Sequence, residues 1–155
     1  MSNLLEIRDL SVNYGGINAV NNISLDVPEG QIITLIGANG AGKSTILRTI
    51  SGLVRTKNGS IKYKGEEILG KTTDDIVAKG ITLVPEGRHV FPNLTVKENL
   101  RIGAYLRKDK LDNDFDYVYD LFPRLKERSW QLAGTLSGGE QQKISCALVN
   151  LVLVS

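Results

Sequence analysis

The stretch that decides the fold is GANGAGKST, residues 37–45. It contains the pattern G-x-x-x-x-G-K-[ST] through Gly37, Gly42, Lys43 and Ser44. Glycines allow a tight turn whose successive N–H groups converge on phosphate oxygens, and a helix that follows presents the positive end of its dipole to the same anion. A lysine at this position reaches the β- and γ-phosphates of a nucleotide, and the next hydroxyl ligates Mg²⁺. The stretch therefore predicts a phosphate-binding loop.

The segments on either side of this loop support the prediction. Residues 31–37, QIITLIG, are apolar without alternation, which predicts a central strand covered on both faces. After the loop, apolar side chains recur at helical spacing, and Gly52 is placed to end the helix. The apolar positions are Ile46, Leu47, Ile50 and Leu53. If the glycine-rich turn matched the pattern only by chance, it would not be expected to lie between a predicted strand and a predicted helix.

Strand patterns dominate the rest of the first half of the chain. Residues 4–27 alternate apolar and polar side chains in two runs separated by Gly15 and Gly16, which predicts two antiparallel strands. The sequence GSIKYKGEEI, residues 59–68, predicts a short hairpin, and GITLVPE, residues 80–86, predicts a second apolar strand.

Helix patterns dominate the second half. Thr95 and Glu98 form the S/T-x-x-E pattern of a capping box, which predicts a helix from there to about Arg107. Residues 114–128 carry apolar side chains on one side of a second predicted helix. The predicted order is an antiparallel strand group, an α/β core and a helical segment.

Composition indicates one ordinary globular domain. The chain has 155 residues, of which 41% are hydrophobic and 23% are charged. A net charge of +2 is too small to indicate binding to nucleic acid or to a membrane surface. The first residues carry Glu6 and Asp9 instead of the basic and apolar regions of a signal peptide, and Cys146 is the single cysteine. These features predict a cytoplasmic protein that meets a membrane only through partners.

A second glycine-rich turn, LSGGEQQ, occupies residues 136–142. Ser137 and Glu140 have capping-box spacing, so the turn can simply open a helix. Alternatively, the serine hydroxyl and the amides of Gly138 and Gly139 can form an anion site at the helix N-terminus. Without a lysine, such a half-site is useful only against a phosphate that is already held elsewhere.

The phosphate loop followed by LSGGEQQ resembles the nucleotide-binding domains of ATP-binding cassette (ABC) transporters, whose signature sequence is the second motif. The resemblance covers nearly the whole chain. It implies an α/β P-loop fold with N-terminal antiparallel strands, in which residues 1–155 form one partial ATP-binding domain with a helical subdomain at about 93–142. It also implies a head-to-tail dimer with a second ATPase subunit, in which each signature completes the ATP site of the other subunit.

The resemblance assigns roles to individual residues. Tyr14 stands where the family places an aromatic that stacks on adenine, although an aromatic on a strand face is the alternative. Glu86 stands where most members carry a glutamine that contacts Mg²⁺ and water, so Ser44 and Glu86 are the implied metal ligands. The full set implied to contact ATP is Tyr14, Gly37, Asn39, Gly40, Ala41, Gly42, Lys43, Ser44, Thr45, Glu86, Ser137, Gly138, Gly139 and Glu140.

Glu86, Gly87 and Arg88, with FPNLTV at residues 91–96, resemble the ATPase subunits of branched-chain amino-acid importers. The resemblance implies an importer subunit that couples ATP binding and hydrolysis to transport through membrane permease subunits. It would lie in the cytoplasm at the inner face of the cell membrane and would bind no nucleic acid. A soluble ABC protein of repair or translation is disfavoured, since no second cassette, long coiled-coil insertion or basic patch is present.

Part of the family pattern is not found in these residues. After the signature helix, the family has four apolar residues, an Asp and a Glu, and then a D-loop and a switch histidine. Residues 151–154 imitate only the apolar part, and the tail KISCALVNLVLVS predicts about two further helical turns. No catalytic base is therefore assigned, and whether the chain is an active ATPase stays open. The alternative hypothesis is a truncated or frameshifted remnant that binds nucleotide weakly or not at all and does not hydrolyse ATP.

Overall fold

The computed structural model describes residues 2–87, 89–105 and 107–153. The chain forms two compact units, Met1–Lys79 and Gly80–Ser155.

The first unit is built on a four-stranded antiparallel sheet. Strand β1 spans Asn3–Tyr14, β2 Ile17–Pro28, β3 Asn58–Tyr63 and β4 Glu66–Glu67, in the spatial order β2-β1-β3-β4. Gly15 and Gly16 join β1 to β2 with φ of 49° and 97°, the left-handed conformation that a two-residue hairpin turn requires. The two predicted hairpins are confirmed.

Two helices complete the first unit. Helix α1 spans Lys43–Ile50 and α2 spans Thr73–Ala78. Gly52 follows α1 with φ 75°, and a methyl group added there would lie 2.9 Å from the Ile76 side chain, so glycine both ends the helix and admits α2. Helix α1 and its end were predicted, whereas α2 was not. The buried apolar side chains of this unit are Ile7, Leu10, Val12, Val20, Ile46, Ile61, Ile68 and Ile76.

The two apolar strands predicted over residues 31–37 and 80–86 are not formed, and this prediction was wrong. Neither segment is assigned to a strand, and the side chains of Ile32 and Ile36 are 94% and 92% exposed. A strand exists only where a neighbour pairs with its N–H and C=O groups, and its apolar side chains need a covering layer. The described residues supply neither to residues 31–37.

The second unit is helical. Helix α3 spans Val96–Gly103, α4 Asp112–Leu121, α5 Pro123–Glu127 and α6 Gly138–Leu153, with a 3₁₀ turn at Ala133–Thr135. A methyl group added at Gly103 would lie 3.2 Å from Leu148 Cα, so α3 and α6 approach closely there. The buried cluster between the helices comprises Val96, Leu100, Ala104, Val118, Leu125, Ala133, Leu136, Ile144, Ala147 and Leu151.

The helix boundaries differ from the prediction in three places. The capping box at Thr95 is formed, but α3 ends at Gly103 instead of about Arg107. The helix predicted over residues 114–128 is divided, because Pro123 starts the new helix α5. Helix α6 runs to Leu153, beyond the two turns predicted, because Ile144 and Leu151 on its inner face are both fully buried.

Candidate functional site

The phosphate loop, residues 37–45, turns directly into α1. Gly40 and Gly42 have φ of 85° and 88°, which side-chain-bearing residues rarely adopt. Gly42 caps α1 without a side chain, and its carbonyl accepts the first helical hydrogen bond, from Ile46 N at 2.9 Å. The first amides of an α-helix have no acceptors within the helix, so the loop leads to the positive end of the helix dipole. The local geometry is therefore that of an anion-binding turn.

Strand β2 lies directly against this turn. A methyl group added at Gly42 would collide with the Ala19 carbonyl oxygen and would lie 3.1 Å from Val20 Cγ2. The same addition at Gly40 would meet no heavy atom within 4 Å. Glycine at position 42 is thus required by packing as well as by backbone conformation, and the sequence pattern gave no indication of the Ala19 contact.

Lys43 folds back over its own loop. Its Nζ donates hydrogen bonds to the carbonyl oxygens of Gly37 and Ala38, both at 2.7 Å. An ammonium group has three N–H donors, so one more remains for a ligand. The positive charge is therefore placed inside the turn, where a phosphate oxygen would meet both the loop amides and the ammonium group.

The loop also offers hydroxyl groups. Ser44 is exposed in the first turn of α1 and Thr45, beside it, is half-buried. Among the described residues, no group of three or more His, Cys, Asp or Glu side chains is placed to hold a metal ion. Mg²⁺ commonly keeps several water ligands and binds through phosphate oxygens with only one or two protein groups. The Ser44 hydroxyl fits that limited role.

Tyr14 ends β1 beside the hairpin turn, where it pairs with Ile17. It lies two residues beyond the buried Val12 and so on the same face of the sheet. Val12 pairs with Val20, whose Cγ2 would lie 3.1 Å from a methyl group added at Gly42. Tyr14 is 46% exposed, so part of its surface is accessible to a ligand, whereas a core side chain would be buried.

The signature, residues 136–142, opens α6 with the predicted capping box. The Ser137 N–H and hydroxyl donate to the Glu140 carboxylate at 3.0 and 2.8 Å, and Glu140 N donates to Ser137 Oγ at 3.4 Å. The hydrogen bond from the Ser137 hydroxyl, and then the one from its N–H, hold the pKa of Glu140 below its ordinary value. Arg128 pairs with the same carboxylate at 3.4 Å. Glu140 therefore fixes the Ser137 side chain at the start of the helix.

Gly139, in the first turn of α6, has no internal reason to be glycine. Its φ is not left-handed, and an added methyl group would meet no heavy atom of the described residues within 4 Å. Gly134, five residues earlier, is different, because a methyl group there would lie 2.8 Å from Pro92 Cβ. The surface above Gly139 is therefore open for close approach by another molecule.

Glu86 is exposed in a bend of the second unit. Its carbonyl oxygen lies 2.9 Å from the His89 ring Nε2, and Gly87 follows with φ 94°. The phosphate loop and Tyr14 belong to the first unit, whereas Glu86 and the signature belong to the second. A metal site shared by Ser44 and Glu86 stays a prediction.

The sequence matches the ABC transporter family over residues 20–153. The chain belongs to the ABC transporter family. Its fold class is the predicted one, the α/β P-loop fold of ABC ATP-binding domains, with N-terminal antiparallel strands and a helical part. The solved structure of a nucleotide-free ATP-binding cassette from an ABC transporter superposes with a TM-score of 0.82, covering 97% of this chain and 66% of that one at 22% identity.

Two curated relatives are named for branched-chain amino-acid transport. The high-affinity branched-chain amino acid transport ATP-binding protein BraG of Pseudomonas aeruginosa is 50% identical over 143 residues, 92% of this chain. The probable branched-chain amino acid transport ATP-binding protein LivF of Archaeoglobus fulgidus is 35% identical over 145 residues, 93% of this chain. This ABC chain spans 61% of the length of each relative. None of the helices in its described residues is long and apolar enough to cross a membrane.

Proposed function

We propose that this ABC chain is the ATP-binding part of a branched-chain amino-acid importer subunit, which couples ATP binding and hydrolysis to transport through membrane permease subunits. The observation that carries the ATP-binding part is the Lys43 ammonium, held 2.7 Å from two carbonyls of its own loop at the start of α1. The names of the relatives BraG and LivF support the substrate class.

Several residues of the first unit would have distinct parts in ATP binding. The loop amides and Lys43 would hold the β- and γ-phosphates, and the exposed ring of Tyr14 would stack on adenine. Ser44 would be the ligand for Mg²⁺ from this unit, and Glu86 would be the ligand from the second. Mg²⁺, when bound, neutralises negative charge on the β- and γ-phosphate oxygens.

A second ATPase subunit would meet the signature in a head-to-tail dimer. Gly139 supports this proposal, because none of the described residues of its own chain occupies the space left by its missing side chain. The Ser137 hydroxyl, fixed by Glu140 at 2.8 Å, would stand beside that space at the positive end of α6. The signature of one subunit would then contact the phosphate held by the Lys43 of the other.

Gly139→Ala is expected to weaken dimerisation without lowering the stability of the fold. Alanine is the better helix former, so the free energy of unfolding should stay the same or rise by up to about 1 kcal/mol. The ATP-driven dimer of the complete subunit should weaken by about tenfold or more, because the methyl group occupies the space for the partner's phosphate. Urea unfolding and sedimentation with ATP measure the two effects.

Gly134→Ala is the matched control for that experiment. Its methyl group would meet Pro92 within the same chain, so overpacking should lower the free energy of unfolding by about 1 to 3 kcal/mol. If Gly139→Ala destabilises the fold as Gly134→Ala does, or leaves the dimer unchanged, the proposed partner surface is wrong.

The membrane subunits would contact the loop around Phe91. The Phe91 side chain is 54% exposed, and Pro92 and Asn93 beside it are exposed as well. An exposed aromatic next to a proline-rigidified turn is suited to a protein interface. This loop follows Glu86 closely in the chain, so a contact here would reach the segment proposed to meet the nucleotide.

Asn93→Cys is expected to crosslink to a permease subunit in the assembled transporter, in a background where Cys146 is replaced by serine. Lys126→Cys, on the exposed side of α5, is the control and should not crosslink above background. Mobility shifts on gels after treatment with a short bifunctional reagent would report both. Absence of a crosslink at position 93 in a fully assembled complex would count against the membrane contact.

A second candidate function is supported by one observation. Ile32 and Ile36, immediately before the phosphate loop, are almost fully exposed. A loop preceded by an uncovered segment is poorly held, and loosely positioned binding groups give weak affinity. On this second proposal the 155 residues bind nucleotide weakly or not at all and do not hydrolyse it.

A further inference from the structure

One buried side chain, Asn99, holds both ends of the 91–95 loop. Asn99 is 1% exposed on α3. Its Oδ1 accepts a hydrogen bond from Phe91 N at 2.8 Å, and its Nδ2 donates to Phe91 O at 3.0 Å and to Thr95 O at 2.9 Å. Nδ2 also lies 3.3 Å from the Leu94 carbonyl. A single amide therefore closes the loop, and we call this set of hydrogen bonds the Asn99 clamp.

The clamped loop is also hydrogen-bonded to the 129–136 segment, which leads into the signature. Ala133 N donates to Leu94 O at 2.9 Å and Gly134 N donates to Pro92 O at 3.0 Å. The absence of a side chain at Gly134 is what permits the close approach to Pro92. The loop is thus attached to this segment by backbone hydrogen bonds at two points.

Two further backbone hydrogen bonds extend the attachment to the start of α3. Val96 N donates to Gln131 O at 3.0 Å, and Lys97 N donates to Ser129 O at 2.9 Å. The 129–136 segment therefore follows the loop and the first turn of α3 along most of its length.

The connection between the 129–136 segment and the signature is held rigidly by hydrogen bonds. Leu136 is 6% exposed in the helical core, and its carbonyl accepts a hydrogen bond from the buried Gln141 Nε2 at 3.0 Å. Ser137 follows at once and is fixed by Glu140. A displacement of the segment must therefore displace the start of α6.

We propose that Asn99 is a positioning residue that makes the 91–95 loop, the 129–136 segment and the start of α6 one rigid body. A partner that pushes on the exposed Phe91 would then move Ser137, because no flexible link lies between them. The identity of the partner as a membrane subunit rests on the proposed function, whereas the rigid body itself does not.

Asn99→Asp tests the clamp in the 155-residue chain. Aspartate keeps the size of the side chain and the acceptor for Phe91 N, but it removes the donor and places a carboxylate against carbonyl oxygens. We expect the amides of Ala133 and Gly134 to exchange with deuterium about tenfold faster or more, because the loop that accepts their hydrogen bonds is released. Trp130, the single tryptophan of the chain, lies in the same segment, and its fluorescence anisotropy should fall.

Val118→Ala is the matched control for general destabilisation. Val118 is 1% exposed in the same helical core but makes none of the clamp's hydrogen bonds. It should accelerate exchange by a common factor throughout the unit, whereas Asn99→Asp should accelerate residues 91–97 and 129–137 relative to the interior of α6. An equal acceleration everywhere in Asn99→Asp would show that Asn99 acts only through stability and would overturn the proposal.

Gly134→Ala provides a second variant if Asn99→Asp does not fold. It separates the loop from the segment at Pro92 and leaves Asn99 in place, so Trp130 anisotropy and exchange at residues 91–95 should change together. Unchanged exchange in the loop would overturn the rigid body.

In the assembled transporter, Asn99→Asp should lower transport per ATP hydrolysed by about tenfold or more, with ATP affinity unchanged. Unchanged transport would overturn the coupling role. Failure of Asn93→Cys to crosslink would instead contradict the membrane contact and leave the exchange result standing.

Discussion

We expect Gly42→Ala to lower the free energy of unfolding by about 2 to 5 kcal/mol and to abolish ATP binding. A left-handed backbone costs a residue with a side chain about 1 to 2 kcal/mol, and overpacking adds about 1 to 3 kcal/mol. Both penalties apply at position 42, where φ is 88° and the new methyl group collides with the Ala19 carbonyl of β2. Relief of the collision must move the loop away from β2, and with it the amides that would hold phosphate.

Gly40→Ala is the control that separates the two penalties. Its φ of 85° is nearly the same, but the added methyl group meets no atom within 4 Å. Only the conformational cost of about 1 to 2 kcal/mol remains. Urea unfolding of both variants, together with titration of a fluorescent ATP analogue, measures the difference. Equal losses in the two variants would mean that β2 does not pack against the loop as described.

The features that sequence predicted correctly depend on residues close together in the chain. The capping boxes at Thr95 and Ser137 need a partner only three residues away, and the hairpin at Gly15 and Gly16 needs only its two flanking strands. Each pattern contains its own physical cause. Local sequence therefore predicted these elements.

The strands predicted over residues 31–37 and 80–86 depend on partners that are not close in the sequence. Their apolar composition indicates what they require, namely pairing and cover on both faces, but no strand of the described residues pairs with them, and Ile32 and Ile36 stay exposed. Pattern alone cannot report whether a remote partner is present.

The chemistry of the candidate site could likewise be predicted from the sequence, but the packing that holds its residues in place could not. Lys43 and Ser44 followed from residue types and spacing, whereas the Ala19 contact that requires Gly42 depends on tertiary packing. Asn99 did leave a trace in the sequence, as a polar residue between Val96 and Leu100 on the apolar face of α3. A polar side chain at such a position must find hydrogen bonds inside the protein, which is the role it has in the 91–95 loop.

Lys43→Ala is expected to remove half or more of the stabilisation that Mg-ATP gives to the chain. A ligand at 100 times its Kd stabilises the folded state by about 2.7 kcal/mol. Hydrogen bonds to charged groups contribute about 1.5 to 3 kcal/mol, so loss of the ammonium group should weaken ATP binding by about 10- to 100-fold. Thermal unfolding at a fixed ATP concentration, with and without the nucleotide, gives the change.

Tyr14→Ala distinguishes loss of the phosphate contact from loss of the base contact. A ring that stacks on adenine acts on the base alone, so this variant should bind ATP more weakly but inorganic tripolyphosphate unchanged. Lys43→Ala should weaken both ligands. If Tyr14→Ala weakened the binding of ATP and of tripolyphosphate equally, Tyr14 would act through packing within β1 and not by stacking on adenine, even though it is half exposed.

The quantity to compare in the Lys43→Ala experiment is the shift produced by ATP, because the variant also changes the ligand-free protein. It removes the hydrogen bonds from Nζ to the Gly37 and Ala38 carbonyls, which face solvent and can bond to water instead. The ligand-free Tm should therefore fall only slightly. An ATP shift that is equal in the two proteins would contradict the phosphate site. If neither protein shows a shift, the 155 residues bind nucleotide too weakly to be stabilised by it, and the second candidate function replaces the first.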